Sequence, residues 1–330
     1  MKYGYILRRI AILVATLYTV ITITFILIRL SPYNPYAYFL SQEQSMGIAS
    51  PSQLAALSQY YYNLIPNQPI YVQYFEYLSS IMRGNFGHSL IYPQMTVANI
   101  IATRLPWTLY IVITSTVISF LIGTYAGQRL GYKRGGKVDG GVVTFFTVLH
   151  SIPIYGVGLI LLFFISLKAG LLPSAGAYAV GITPGLNLAF IVSVIKHSIL
   201  PISTFILGSV GGWTLGMRAN TISVLGEDYV NAAELRGIPS SRIASRYVGR
   251  NAILPQFTSL VISIGFAFGG SVFVEQIFTY PGIGQMLVSS VGDGDYPVIM
   301  GITIIIIAAV LVSVLVADLT YQLLDPRVRK

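Results

Sequence analysis

Residues 227–255 read EDYVNAAELRGIPSSRIASRYVGRNAILP, and this stretch decides how the rest of the chain is understood. Glu227 and Asp228 stand where a helix N-terminus favours negative charge, and Arg236 stands where its C-terminus favours positive charge. Gly237 can take the left-handed conformation that ends a helix, and Pro239 blocks continuation. The pattern predicts a short helix from about Glu227 to Arg236. Arg242, Arg246 and Arg250 then recur every four residues, giving a second helix a basic face suited to acidic groups or lipid phosphate. On either side lie apolar stretches, residues 197–217 and 256–274, each near the 20 residues that cross a bilayer. A delimited helix held between two such stretches reads as a handle that a protein outside the bilayer can grip.

Working outward, the chain is 54% hydrophobic and only 9% charged. Soluble domains carry about 25% charged residues. Six stretches free of charged side chains have spanning length: 10–28, 106–127, 140–167, 197–217, 256–274 and 298–317. Lipid offers the backbone no hydrogen bonds, so each is expected to be a helix. The fold class is therefore an all-α integral membrane protein with six transmembrane helices. The first apolar run is too long for a secretory signal, and no small-residue cleavage site follows at Arg29-Leu30-Ser31-Pro32. It reads as an uncleaved first helix.

Lys and Arg set the direction, because they collect on the cytoplasmic side. With the N-terminus inside, the inner segments hold 15 of the 20 basic residues. The outer side keeps Arg29, Arg83, Arg104, Lys168 and Lys196. Both termini are expected to be cytoplasmic, in the plasma membrane. This topology, with anionic lipid, accounts for the net charge of +9, so nucleic acid is not expected as a partner.

Residues 31–105 are too polar to span and too long for a turn. Ser50-Pro51-Ser52-Gln53 fits a capping box with proline at the first helical position. Leu54, Leu57, Tyr61 and Ile65 follow at helical spacing, and Pro66-Asn67-Gln68-Pro69 stops that helix. A second helix is expected over 70–82, with Tyr71, Tyr74, Leu78 and Met82 on one face. Two readings stand for this extracellular helical segment: a cap over the outer mouth, or a docking surface for an external binding protein.

Several chemistries are excluded by pattern. There is no cysteine, hence no disulfide or thiolate metal site. His88, His150 and His197 are scattered. Gly131 to Lys137 imitates a phosphate-binding loop, but Val138 replaces the required Ser or Thr, and a membrane helix precedes it instead of a strand. No Ser/His/Asp set or paired carboxylates stand at catalytic spacing. No Asp or Glu falls mid-span, where an ion-driven secondary transporter or channel needs one, and Glu275 and Asp318 sit at span ends. Gly123/Gly127, Gly208/Gly212/Gly216 and Gly265/Gly269 form i, i+4 seams that let helices approach closely, for static packing or for sliding. Pro153 is expected to kink the third span. His150, mid-span beside it, reads as an interhelical contact or, as a weak candidate, a residue of a translocation pathway.

Asn231-Ala232-Ala233-x-x-x-Gly237, with Ala252-Ile253-Leu254-Pro255 beyond it, resembles the EAA loop of ABC importer permeases. Asn231 stands where that pattern has Glu, and Ala252 where it has Ile. The longer spacing after the glycine is similar to the dipeptide, oligopeptide and nickel branch. Other segments resemble the same branch: Gly84-Asn85-Phe86-Gly87-His88-Ser89-Leu90, Arg104-Leu105-Pro106, Ser151-Ile152-Pro153 and Leu171-Leu172-Pro173-Ser174-Ala175-Gly176. So do Glu275-x-x-Phe278-x-Tyr280-Pro281-Gly282-x-Gly284, Asp295-Tyr296-Pro297 and Leu324-Asp325-Pro326-Arg327. Ser31-Pro32-Tyr33-Asn34-Pro35 departs from the Pro-Gly-Asp-Pro turn commoner in that branch.

The resemblance implies a permease subunit of an importer for small peptides, with oligosaccharides or nickel as alternative cargo. It implies half of a translocation pathway, completed by a second homologous permease. Two ATPase subunits would hold ATP and Mg, and an extracellular solute-binding protein would deliver solute; this chain would bind no cofactor. The ATPase-coupling residues would be Glu227, Asp228, Asn231, Ala232, Ala233, Glu234, Arg236 and Gly237. The domain plan is then 1–30 (cytoplasmic N-terminus and first span), 31–105 (extracellular segment) and 106–330 (five-helix core with coupling loop 218–255).

Overall fold

A computed structural model describes residues 3–30, 53, 56, 60, 69–135 and 139–324. The expected capping box and the helix through Leu54 to Ile65 lie outside these residues, apart from positions 53, 56 and 60. Regular structure among the described residues is helical, with one isolated bridge between His88 and Thr96.

Helix α1 (Tyr3–Leu30) is followed by α2 (Ile70–Met82) and by the long α3 (Val97–Tyr132). Next come α4 (Asp139–Ser151) and α5 (Ile154–Leu161), the latter continuing as a π-helix over Leu162–Lys168. Helix α6 (Leu188–Leu225) leads to the short α7 (Asp228–Leu235). A single turn, α8 (Ser240–Arg242), runs through a second π-helix (Ile243–Gly249) into α9 (Arg250–Ile277). The chain closes with α10 (Ile283–Asp293) and α11 (Tyr296–Leu324). Five of these helical stretches are long and apolar enough to cross a membrane, and α4 with α5 makes a sixth if that bent pair counts as one span.

The helices outrun the stretches legible as apolar. Helix α3 begins at Val97, nine residues before Pro106, because Thr96 accepts a hydrogen bond from Asn99 N at 3.1 Å and starts it there. Its 36 residues extend about 54 Å, well beyond a 30 Å hydrocarbon layer. Asn187 likewise starts α6 by accepting from Phe190 N at 2.8 Å. The third span is interrupted at Ile152-Pro153, where α4 and the α5 helix meet at 93°, a break far sharper than a kink. Proline cannot donate to the preceding turn and clashes with it.

Several hydroxyls inside these helices are satisfied locally. Thr16, Thr19 and Thr22 of α1 donate to carbonyls four residues back at 2.8 Å, and Thr204, Thr214 and Thr221 of α6 do the same. That leaves no bare hydroxyl donor at these positions.

The central pair is α3 against α6. A side chain at Gly127 would put its first carbon 2.3 Å from the Thr214 carbonyl oxygen, and one at Gly123 would meet Trp213 Cβ at 2.4 Å. Gly131 extends the seam, facing Thr221. On α6 the glycines serve other neighbours: Gly208 faces Ile154, Gly212 faces His150 and Gly216 faces Gln256. Gly265 lets α9 touch Ser313 of α11, whereas Gly269 faces open space.

Helix α2 has the expected bounds, and of the residues expected on one face Tyr74 and Leu78 pack inward while Tyr71 and Met82 do not. Gln73 and Tyr77 are buried, and Tyr74, Leu78 and Ile81 pack with Tyr77 around Ile21 and Phe25 of α1. Tyr71 and Met82 are exposed. Tyr74 Oη lies 2.7 Å from Thr22 Oγ1, and burial raises the Tyr77 phenol above its ordinary pKa. The apolar side chains at 71 and 82 follow the helical period, but α1 presses on the stripe rotated from them. At the opposite end of α1, Arg9 pairs with Asp318 near the end of α11, at 2.9 Å.

Two buried carboxylates organise the end of the bundle where α2 lies. Asp295 accepts from Ser89 Oγ and from Leu90 N, tying the loop after α2 to the start of α11. Glu275, wholly buried near the end of α9, accepts from Thr108 Oγ1 at 2.8 Å, Gly284 N at 2.7 Å and Gln285 N at 3.1 Å. It thereby caps the N-terminus of α10 from a different helix.

Candidate functional site

The handle is built from α7 and what it rests on. Glu227 takes the N-cap position in extended conformation and Asp228 supplies the first-turn acid. The helix ends in a Schellman motif: Gly237 N donates to Glu234 O at 2.9 Å, and Ile238 N donates to Ala233 O at 3.2 Å. Gly237 has φ +70°, the left-handed geometry that glycine adopts without penalty. The predicted limits at Glu227 and Arg236 are thus the two caps of this helix.

Its inner face is apolar. Val230 and Ala233 are buried with Ile243 and Val248, against Tyr132, Leu225, Ile238 and Tyr247. Ala233 therefore faces its own chain, because it lies three residues from Val230 on the inward stripe; it offers no surface for a partner. Glu227, Asp228, Asn231, Ala232, Glu234, Arg236 and Gly237 are exposed.

Leu235 is the residue the sequence reading passes over. It is 90% exposed. Asp228, Asn231, Ala232 and Leu235 stand at i, i+3, i+4 and i+7, one continuous outward stripe. The signal was available: once Val230 and Ala233 point inward, an apolar residue at 235 points out. Tyr229, 40% exposed, follows Asp228 in sequence.

The handle is fastened to the two central helices. Gln128 Nε2 of α3 donates to Ala244 O at 2.9 Å, and Tyr132 Oη donates to Ser240 O at 3.1 Å. Asn220 Nδ2 of α6 donates to Ala252 O at 3.2 Å. Arg218 of α6 forks onto Asp139 at the start of α4, through Nη2–Oδ2 at 2.8 Å and Nε–Oδ1 at 3.3 Å. The segment around α7 is thus tied to α3 and α6, by side-chain packing at Val230 and Ala233 and by hydrogen bonds from the residues that follow. Arg242, Arg246 and Arg250 are all exposed beside it.

Elsewhere, His150 packs against Gly211 and Gly212 of α6. It makes contact between helices, as one of its two readings has it, but forms no hydrogen bond among the described residues and opens into a cavity. In the glycine-rich loop after α3, Gly135 N donates to Asp139 at 3.2 Å, and residues 136–138 lie outside the described set. Among the described residues no three His, Asp or Glu side chains come together as metal ligands.

Among the described residues the chain is a helical, multi-pass membrane architecture that carries a braced, exposed handle. Residues 119–330 match the family described as binding-protein-dependent transport system inner membrane component, and the chain belongs to that family. It is 32% identical over 326 residues to the oligopeptide transport system permease protein AppB of Bacillus subtilis, covering 98% of this chain and 99% of that one. It is similar at 30% identity over 328 residues to the dipeptide transport system permease protein DppB of Lactococcus lactis, covering 98% and 99%. A glutathione transport system permease protein, GsiC of Salmonella choleraesuis, is 29% identical over 326 residues, covering 99% of each chain. The protein is a multi-pass permease component of the inner, or plasma, membrane rather than an enzyme.

Proposed function

We propose that this chain is one permease subunit of an ATP-binding-cassette importer for small peptides. The observation that carries the reading is the braced α7 helix, with its outward stripe ending in bare Leu235, in a chain whose relatives are named for oligopeptide, dipeptide and glutathione transport. A second homologous permease completes the pathway. An ATPase subunit grips α7, with ATP and Mg held on that partner, and its closure pulls α7 and swings α3 and α6. An external binding protein delivers the peptide on the side of α2. Hydrolysis resets the pair, so the chain is a two-state element biased by partners. The coupling surface is Glu227, Asp228, Asn231, Ala232, Glu234, Leu235 and Arg236, with Gly237 as its terminator.

The test is uptake by the complex that copurifies with this chain, reconstituted in vesicles. Di- to oligopeptides should be concentrated and should stimulate ATP hydrolysis. Uptake of oligosaccharide or nickel with no peptide uptake would replace this reading.

The orientation, with both termini and α7 cytoplasmic, has its own test. The chain has no native cysteine, so Arg242→Cys creates a single labelling site. An impermeant maleimide should label it in inverted vesicles and not in intact cells. Labelling from outside would turn the handle the wrong way and sink the mechanism.

A further inference from the structure

The cavity beside His150 holds polar chemistry that the coupling mechanism does not use. About 540 Å³ in volume, it lies between α3, the α4–α5 break, α6 and α9. That is within the range of small-molecule sites. Its polar lining comes from His150, Gln256, Ser209, Ser259, Ser263 and Thr116, and the indole of Trp213 and the ring of Phe266 supply apolar wall. Among the described residues no Asp, Glu, Lys or Arg lines it.

Gln256 is the informative member. Its side chain is nine-tenths buried, at 8% exposure, yet its amide makes no hydrogen bond among the described residues. Gln256 lines the cavity, so its amide is within reach of water or solute there, and in membrane helices such polar groups mark solute pathways. The helix opposite is cut away to hold it: a first side-chain carbon at Gly216 would lie 2.5 Å from Gln256 Nε2. The same device holds His150, since a carbon at Gly212 would lie 2.9 Å from its Cε1. Gly212 and Gly216 are one turn apart, so the two polar groups are stationed about 6 Å apart along α6. In an extended peptide, groups on one edge repeat every two residues, about 7 Å.

We propose that Gln256 and His150 form a charge-neutral subsite that takes alternate peptide groups on one edge of an extended solute peptide in transit. A primary amide both donates and accepts, which matches a peptide unit, and imidazole can do either. Ser259 and Ser263, at i+3 and i+7 from Gln256, continue the same face of α9. With no fixed charge in the lining, the subsite reads backbone and tolerates any side chain. The inference rests on the peptide reading of the function.

The test uses the reconstituted complex. Gln256→Met keeps length and removes the amide. Peptide uptake should fall at least about ten-fold, while ATP hydrolysis stimulated by loaded binding protein persists. Gln256→Glu should instead change selectivity, favouring Lys- or Arg-bearing peptides over Asp- or Glu-bearing ones at least about five-fold beyond the wild-type ratio. A structural role for Gln256 moves assembly or melting and leaves that ratio alone. If both variants fail to assemble, His150→Ala, on an exposed ring, reads the same subsite and should lower uptake. Wild-type uptake by Gln256→Met, an unchanged charge ratio in Gln256→Glu or, where neither assembles, wild-type uptake by His150→Ala overturns the proposal. A wild-type complex that moves no peptide overturns the function reading instead, so the two failures are distinguishable.

Discussion

Leu235→Asp should stop transport while leaving the membrane bundle intact. Leu235 is 90% exposed, and surface substitutions of this kind change stability by within about 0.5 kcal/mol. Leu235 is not part of the buried cluster under α7, so among the described residues the substitution breaks no core packing. In the proposed dock the same side chain is buried in a partner cleft. Burying a leucine is worth about 1.5–3 kcal/mol, and bringing an unpaired carboxylate into that contact adds a further penalty. At 1.4 kcal/mol per decade, docking should weaken at least about ten-fold and up to several hundred-fold. The measurements are copurification of the ATPase subunit, uptake in vesicles and the melting temperature of the chain. Lost copurification with an unchanged melt is the expected pattern. Full copurification and uptake would show that α7 is gripped elsewhere, or not at all.

The parts of this molecule that carry their own local end signals could be read from the chain. Helix α2 begins after Pro69 and ends at Met82, as its flanking residues dictate. Helix α7 was legible from Glu227 and Asp228 at one end and Gly237 with Pro239 at the other, because capping is local chemistry. The spans were legible only in their apolar middles. Apolarity reports the part of a helix that touches lipid, whereas α3 and α6 run on into polar surroundings under the control of Thr96 and Asn187. Proline at 153 announced a disturbance but not its size, since a 93° break depends on what α4 and α5 separately pack against. The rotated face of α2 was set by Phe25 and Ile21, more than forty residues away. Ala233 was placed on the partner's side because a small residue looks the same in sequence whether it admits a neighbour from within or from without. The unpaired amide of Gln256 gave no sign either: it opens the fifth apolar stretch as an ordinary polar residue, and only Gly216 across from it reveals a built recess.

The largest loss of stability is expected from Glu275→Ala. In sequence Glu275 is a carboxylate at the edge of a span; in the fold it is fully enclosed, and partners 167, 9 and 10 residues away converge on it. Its oxygens take Thr108 Oγ1, Gly284 N and Gln285 N, and Thr108 Oγ1 in turn accepts from Ile283 N at 2.9 Å. Three N–H groups of the first turn of α10, which have no partners within that helix, are thus satisfied by this two-residue clamp. Gly282 and Gly284 permit the approach, because a first side-chain carbon on either would fall within 3 Å of the carboxylate. Removing the carboxylate orphans two buried N–H donors and a hydroxyl, at about 1–3 kcal/mol each. A net loss of about 4 kcal/mol follows, roughly 10 °C in melting temperature for a chain of this size. Glu275→Gln should fall between, since its amide oxygen still accepts but the negative charge at the helix N-terminus is gone. Glu275→Leu with Thr108→Val separates this account from simple cavity formation. Replacing a buried side-chain pair with apolar groups is often harmless, but here the orphaned donors are backbone N–H groups that no substitution removes. The double variant should therefore melt as low as Glu275→Ala. A double variant that melts like the wild type would mean that packing volume, not the carboxylate's hydrogen bonds, holds α10 in place.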